Sequence, residues 1–145
     1  GGGLTHRLNL NDGVLIKDNH LRILGHGIEK ALALAKNKSK YAEIEVESKN
    51  QALASAKAIK NIIENDNSNK SAFAIMLDKI PPRGVKSIIV DLKNKGLYDY
   101  VLLEASGNIS PDNLTDYAGC GIDVISMGYI TNSAKVLNLS QDIRG

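Results

Sequence analysis

What most constrains this chain is an alternation. Short apolar runs recur, and each is followed by a longer stretch with helical spacing. The runs are Gly13-Val14-Leu15-Ile16 and residues 42–47, 72–77, 100–105 and 122–127. Residues 42–47 (AEIEVE) alternate apolar and acidic at period two, the pattern of a strand with one covered face. Residues 72–77 (AFAIML) are apolar throughout, the pattern of a strand covered on both faces. Between the runs, Ile28–Lys36 carries Ile28, Leu32 and Ala35 on one side, and residues 50–64 stripe Ala52, Leu53, Ala56, Ile59, Ile62 and Ile63. Residues 85–95 repeat Val85, Ile88, Ile89 and Leu92 ahead of Gly96, which stands where a helix-ending glycine belongs. Ser110-Pro111-Asp112-Asn113 predicts the start of a fourth helix, with Ser110 as cap, Pro111 in the first position and Asp112 on the positive end of the dipole. Residues 65–70 (NDNSNK) predict a polar loop.

Strand then helix, repeated, predicts parallel strands joined by crossovers. Five such units fit in the 145 residues. A closed eight-stranded barrel takes about 250 residues. The expected fold is therefore α/β: a small open parallel sheet, or part of a TIM-like α/β barrel.

Composition narrows the function classes. A formal charge of +2, with 43% hydrophobic and 23% charged residues, predicts one soluble globular domain and gives no case for nucleic acid as main partner. Lys36, Lys38, Lys40, Lys57 and Lys60 are spread out and are expected on solvated helix faces. The single cysteine, Cys120, excludes an internal disulfide and a Cys-based zinc site, and suits a reducing cytoplasm. No apolar run approaches the roughly 20 residues that span a bilayer, so no membrane partner is expected. Gly1-Gly2-Gly3-Leu4-Thr5-His6-Arg7 has the character of a loop from the middle of a protein. It suggests a tag scar or missing upstream sequence, and the rest of the chain favours the second.

The C-terminal ends of the predicted strands carry the chemistry. They yield Lys17 and Asp18, then Glu45 and Glu47, then Asp78 and Lys79, then Glu104 with Ser106-Gly107-Asn108, and last Ser126 with Gly128. Parallel α/β folds bind ligands at this edge, where strand ends and helix N-termini converge. Ser106-Gly107-Asn108-Ile109 lies between a strand and a helix start, and Met127-Gly128-Tyr129 follows the next strand. Such glycine loops let backbone N–H groups approach an anion such as phosphate, although two ordinary turns would look the same. Glu45 and Asp78 suit ribose hydroxyls or a magnesium ion held through water; they equally suit solvated acids or partners of Lys17. Strand alternation also puts Glu43 and Glu47 on the face of Glu45, so the pattern does not choose among the three. His6, Arg7 and Lys17 form a cationic set fit for a flat dicarboxylate, or a decorated surface. His20 and His26 are expected as turn and helix-start residues, and no spacing supports a protein-bound zinc.

Taken together, GGGLTHR, DGVLIKDNH (from Asp12 to His20), EIEVE (from Glu43), Met76-Leu77-Asp78, LLEASG (from Leu102) and GIDVISMG (from Gly121) resemble the C-terminal half of the quinolinate phosphoribosyltransferases. These stretches cover nearly the whole chain in the right order, and DNH after LIK together with GGGxxHR is a specific signal.

The resemblance implies a pentosyltransferase of NAD biosynthesis. Such enzymes join quinolinate to phosphoribosyl diphosphate and release diphosphate and carbon dioxide, leaving nicotinate mononucleotide. By similarity, His6, Arg7 and Lys17 bind the quinolinate carboxylates, and Lys17, Glu45 and Asp78 are the expected catalytic set. Glu45 and Asp78 would meet the ribose hydroxyls and, through water and diphosphate, Mg2+. Ser106, Gly107, Asn108, Met127 and Gly128 would form the phosphate end. Asp18, Asn19 and His20 would shape or brace the rim around Lys17. Three residues depart from the family's habit: Asn108 where a second glycine is common, Lys79 where asparagine is usual, and Asn132 where histidine is usual. The family's N-terminal domain and first barrel strands have no counterpart here. Residues 1–145 are thus expected to be the C-terminal portion of a barrel, inactive alone, with an oligomer (dimer or higher) or a complementary N-terminal half covering the open sheet edge. Two alternatives remain at this point: a non-catalytic phosphate- or nucleotide-binding barrel fragment, and a transferase for a related aromatic acid.

Overall fold

The computed structural model describes residues 9, 12–25, 27–66, 71–133 and 136–143. Its strands are β1 (Val14–Ile16), β2 (Tyr41–Val46), β3 (Ala72–Asp78), β4 (Leu102–Ser106) and β5 (Val124–Ile125). They form one sheet in the order β1-β2-β3-β4-β5, every pair parallel. Each strand therefore lies beside the one before it. A doubly wound sheet reverses direction at a switch point, and the described strands contain no such reversal. Unbroken sequential order is that of an arc of a barrel. The expected α/β architecture is present.

The helices are α1 (Asp18–Ile23), α2 (Ile28–Lys36), α3 (Lys49–Glu64), α4 (Pro82–Asn94), α5 (Leu114–Ala118) and α6 (Tyr129–Asn132). Membership of the helix-facing core follows residue parity. Ala42, Ile44 and Val46, Phe73, Ile75 and Leu77, and Leu103 and Ala105 share one core with Leu32, Ile59, Val85, Ile88 and Leu92 from the helices. Leu32, Ile59 and Leu92 are fully buried, each worth roughly 1.5–3 kcal/mol of apolar transfer. The opposite face carries Leu15, Glu43, Glu45, Ala74, Met76, Asp78, Glu104 and Ser106 at matched heights. Its flank towards β5 is the less covered part, with Leu102 and Val124 exposed.

The predicted runs all contain strands, shifted by one or two residues, but several boundaries differ. Residues Tyr98–Tyr100 form a 3-10 turn, so the fourth strand starts at Leu102 rather than at residue 100. α4 starts at Pro82, three residues before its apolar stripe, because proline in the first helical position already has a helical φ. It ends as expected at Gly96, whose φ of +61° lets Leu97 N–H reach the Leu92 carbonyl at 2.9 Å. The fourth helix does not start at Ser110. Residues 111–113 are a turn and α5 begins at Leu114, since the Asn113 side chain accepts from Ser110 N–H at 2.9 Å instead of Ser110 capping the helix. α1 was not expected as a helix. The predicted loop at 65–70 lies partly outside the described residues; within them, Asp66 pairs with Lys36 at 2.8 Å.

Candidate active site

The sequence places a cation directly after β1, and the local fold fixes it there. Lys17 is extended (φ −110°, ψ 170°) and caps α1. Its N–H donates to His20 Nδ1 at 2.9 Å, and Asp18 pairs with Arg22 at 3.0 Å. Asp18, Asn19 and His20 are thus the first turn of a helix that braces Lys17. The Lys17 ammonium lies 3.0 Å from Glu45 Oε2.

β2 presents three acids, and the structure separates them. Glu43 is buried with Tyr41, whose hydroxyl pKa is raised, first by burial and then by Glu43 and Glu104. Glu47 lies past the strand end, exposed, where its N–H donates to Gln51 Oε1 at 3.0 Å. Glu45, whose side chain is 15% exposed, is the one at the mouth of the sheet.

β3 ends at Asp78 on the same face, level with Ser106 of β4. Lys79 follows with a left-handed backbone (φ +56°), its ammonium 3.1 Å from Asp78 Oδ2. Lys79 N–H donates to the Ser106 carbonyl at 2.8 Å. Gly107 has φ +86°, and a Cβ there would lie 2.7 Å from Asp78 Oδ1 and 2.6 Å from Lys79 Cγ. The loops after β3 and β4 therefore interlock, and only glycine at 107 leaves room. Asn108 is also left-handed (φ +57°). Asn108 and Lys79 thus occupy positions whose conformation favours glycine and asparagine, the residues usual in the resembled family.

Further along, Ser126 N–H donates to the Ala105 carbonyl at 2.9 Å, extending the β4–β5 contact. Met127 packs against the hydrophobic core. Gly128 opens α6, and Asn132 Nδ2 lies 3.5 Å from where its Cβ would be. His6, Arg7 and His26 lie outside the described residues.

Lys17, Glu45, Asp78, Lys79, Ser106 and Gly107 thus gather at the C-terminal end of four neighbouring parallel strands. Lys17 and Asp78 open at the same end of the sheet. The Lys79 pKa is raised chiefly by its hydrogen bond to Asp78 and by that carboxylate's charge, with Glu47 and Glu45 adding to the pull. Sequence reasoning puts Lys79 at this strand end, and its ion pair with Asp78 is what that reasoning missed. The arrangement offers carboxylates for hydroxyl groups, cations for anions, and a glycine loop for phosphate. Among the described residues no group of three ligating side chains stands together, so a metal ion here fits only if diphosphate and water supply most of its ligands.

Comparison with known proteins identifies the chain's relatives. Residues 1–142 match the family described as quinolinate phosphoribosyl transferase, C-terminal domain. A protein of Methanothermobacter thermautotrophicus named probable nicotinate-nucleotide pyrophosphorylase (carboxylating) is 41% identical over 148 residues, covering 100% of this chain and 48% of that protein. The human nicotinate-nucleotide pyrophosphorylase (carboxylating) is 34% identical over 143 residues, covering 97% of this chain and 43% of that protein. The structure of the nicotinate-nucleotide pyrophosphorylase from Francisella tularensis superposes with a TM-score of 0.68 at 31% identity, over 97% of this chain and 44% of that one. The chain spans about half the length of the curated relatives it matches. On these grounds the chain belongs to the quinolinate phosphoribosyl transferase family, whose C-terminal domain it matches over nearly its full length.

Proposed function

We propose that this chain forms the C-terminal, substrate-facing half of a carboxylating nicotinate-nucleotide pyrophosphorylase. The observation that carries this reading is the meeting of Lys17–Glu45 and Asp78–Lys79 at one mouth, beside the Gly107 loop, in a chain matching that domain. In the proposed reaction the quinolinate nitrogen attacks the anomeric carbon of phosphoribosyl diphosphate as the bond to diphosphate breaks. The adjacent ring carboxylate then leaves as carbon dioxide, its electron pair remaining beside the cationic nitrogen, and a proton replaces it. Nicotinate mononucleotide is the product.

Lys17, with His6 and Arg7, holds the two carboxylates of quinolinate and sets the ring's approach. Glu45 and Asp78 accept from the ribose hydroxyls and oppose the positive charge that develops on the sugar as diphosphate departs. Ser106, Gly107, Asn108 and Gly128 take the ribose phosphate through backbone N–H groups, with Met127 supporting that loop from the core. Mg2+ arriving with the donor would neutralise the diphosphate leaving group. The remaining contacts come from an N-terminal half or from a further subunit of a dimer or larger oligomer, in the cytoplasm.

Calorimetric titration with quinolinate, nicotinate and benzoate tests the reading. Quinolinate should bind best, because only it offers both carboxylates, and Lys17→Met should remove that preference. Equal binding of quinolinate and benzoate would reduce the protein to a phosphate-binding module. Equal binding of quinolinate and nicotinate would point to another aromatic acid. The chain alone should release no diphosphate, and mixing it with the N-terminal half of a relative should restore turnover.

A further inference from the structure

We propose that Lys79 is a diphosphate-binding residue of this site: its ammonium takes an oxygen of the sugar donor's diphosphate, and without ligand it occupies the Asp78 carboxylate. This deepens the phosphoribosyl reading above and rests on it. Two independent features fix the side chain. The Lys79 backbone is left-handed at φ +56°, and its N–H donates to the Ser106 carbonyl at 2.8 Å. Its stem crosses Gly107, where a Cβ would be 2.6 Å from Lys79 Cγ. The stem thus passes the glycine of one loop while the ammonium meets the acid of the other at 3.1 Å, and the side chain stays 62% exposed and open to a ligand.

Charge gives it a task there. A diphosphate approaching Glu45 and Asp78 alone would meet like charge. Lys17 balances Glu45, and Lys79 balances Asp78 in the same way. A divalent cation would serve the same end, yet no group of three ligating side chains surrounds this position among the described residues. Lys79 thus supplies in the chain part of the positive charge that a metal ion would bring, and competes with that ion for Asp78. Asparagine at this position would keep the backbone and lose the charge.

The test titrates inorganic diphosphate and ribose 5-phosphate into the full chain without divalent cation, for the wild type, Lys79→Asn and Lys79→Arg. Asparagine tolerates the left-handed backbone, so K79N should melt at or above the wild-type temperature. One charge-assisted hydrogen bond to the anion predicts that K79N weakens diphosphate by about tenfold or more. Ribose 5-phosphate should change by less than about twofold, since its phosphate uses the glycine loop. K79R should retain diphosphate binding, and magnesium should restore much of the K79N loss. Unchanged diphosphate affinity in K79N, or equal loss of both ligands, overturns the proposal, as does a wild type that binds ribose 5-phosphate but no diphosphate. A wild type that binds neither ligand refutes the phosphoribosyl reading itself, and Lys79 falls with it.

Discussion

Gly107→Ala should be far more damaging than an equivalent change at another left-handed glycine, and Gly96 provides the comparison. Both have positive φ, +86° and +61°. Giving either a Cβ costs about 1–2 kcal/mol in backbone strain. At Gly96 nothing lies within 4 Å of the new carbon, so strain is the whole cost. At Gly107 it would meet Lys79 Cγ at 2.6 Å, Asp78 Oδ1 at 2.7 Å and Lys79 N at 2.8 Å. The lysine stem is able to swing aside, but Lys79 N is backbone held to Ser106, and Asp78 would have to leave its position. Overpacking of this kind adds about 1–3 kcal/mol. G107A should therefore lose about 2–5 kcal/mol in total, exceeding G96A by the overpacking part. The chain has no tryptophan, so urea unfolding is best followed by far-UV circular dichroism. Equal losses in the two variants, within about 0.5 kcal/mol, would refute the interlock between the loops after β3 and β4.

Two further changes probe the scaffold. Tyr41→Phe removes a hydroxyl bonded to the buried Glu43 carboxylate, and should cost about 1–3 kcal/mol at pH 7. Because the folded chain holds the Tyr41 proton above the usual tyrosine range, wild-type stability should fall as pH rises beyond about 10, a slope that Y41F lacks. Urea curves between neutral and alkaline pH should therefore converge, and a constant gap would contradict the assignment. Ser48→Ala removes the oxygen that accepts from Gln51 N–H at the start of α3, and should lower stability by about 1 kcal/mol in the same assay, with ligand binding intact.

How much of the molecule is legible in its sequence depends on where the information resides. β2 is legible because Ala42, Ile44 and Val46 alternate with acids at period two, and β3 because residues 72–77 are apolar throughout and buried on both faces from Phe73 to Leu77. α1 is not: its six residues bury only Leu21, which leaves no stripe to detect. The start of α5 is misread because Ser110-Pro111-Asp112 carries a helix-start composition, while the outcome turns on which side chain captures the Ser110 N–H. Glu43, Glu45 and Glu47 share a parity, and only strand register and the strand's end tell them apart. The sequence puts Lys79 at a strand end but does not show that it pairs with Asp78. Its position depends on a backbone sign and on a carbonyl some 27 residues later, neither of which a local motif records.

The neighbour-by-neighbour strand order bears on how such a chain is made. Each strand finds its partner in the segment synthesised just before it, so pairing spans a single helical crossover and no late arrival must thread between earlier elements. Assembly can keep pace with the ribosome, β1 serving as template for β2 and so on to β5. The lysine and acid of the mouth are then set facing each other, Lys17 against Glu45, once the second strand has docked, well before the loops after β4 and β5 exist.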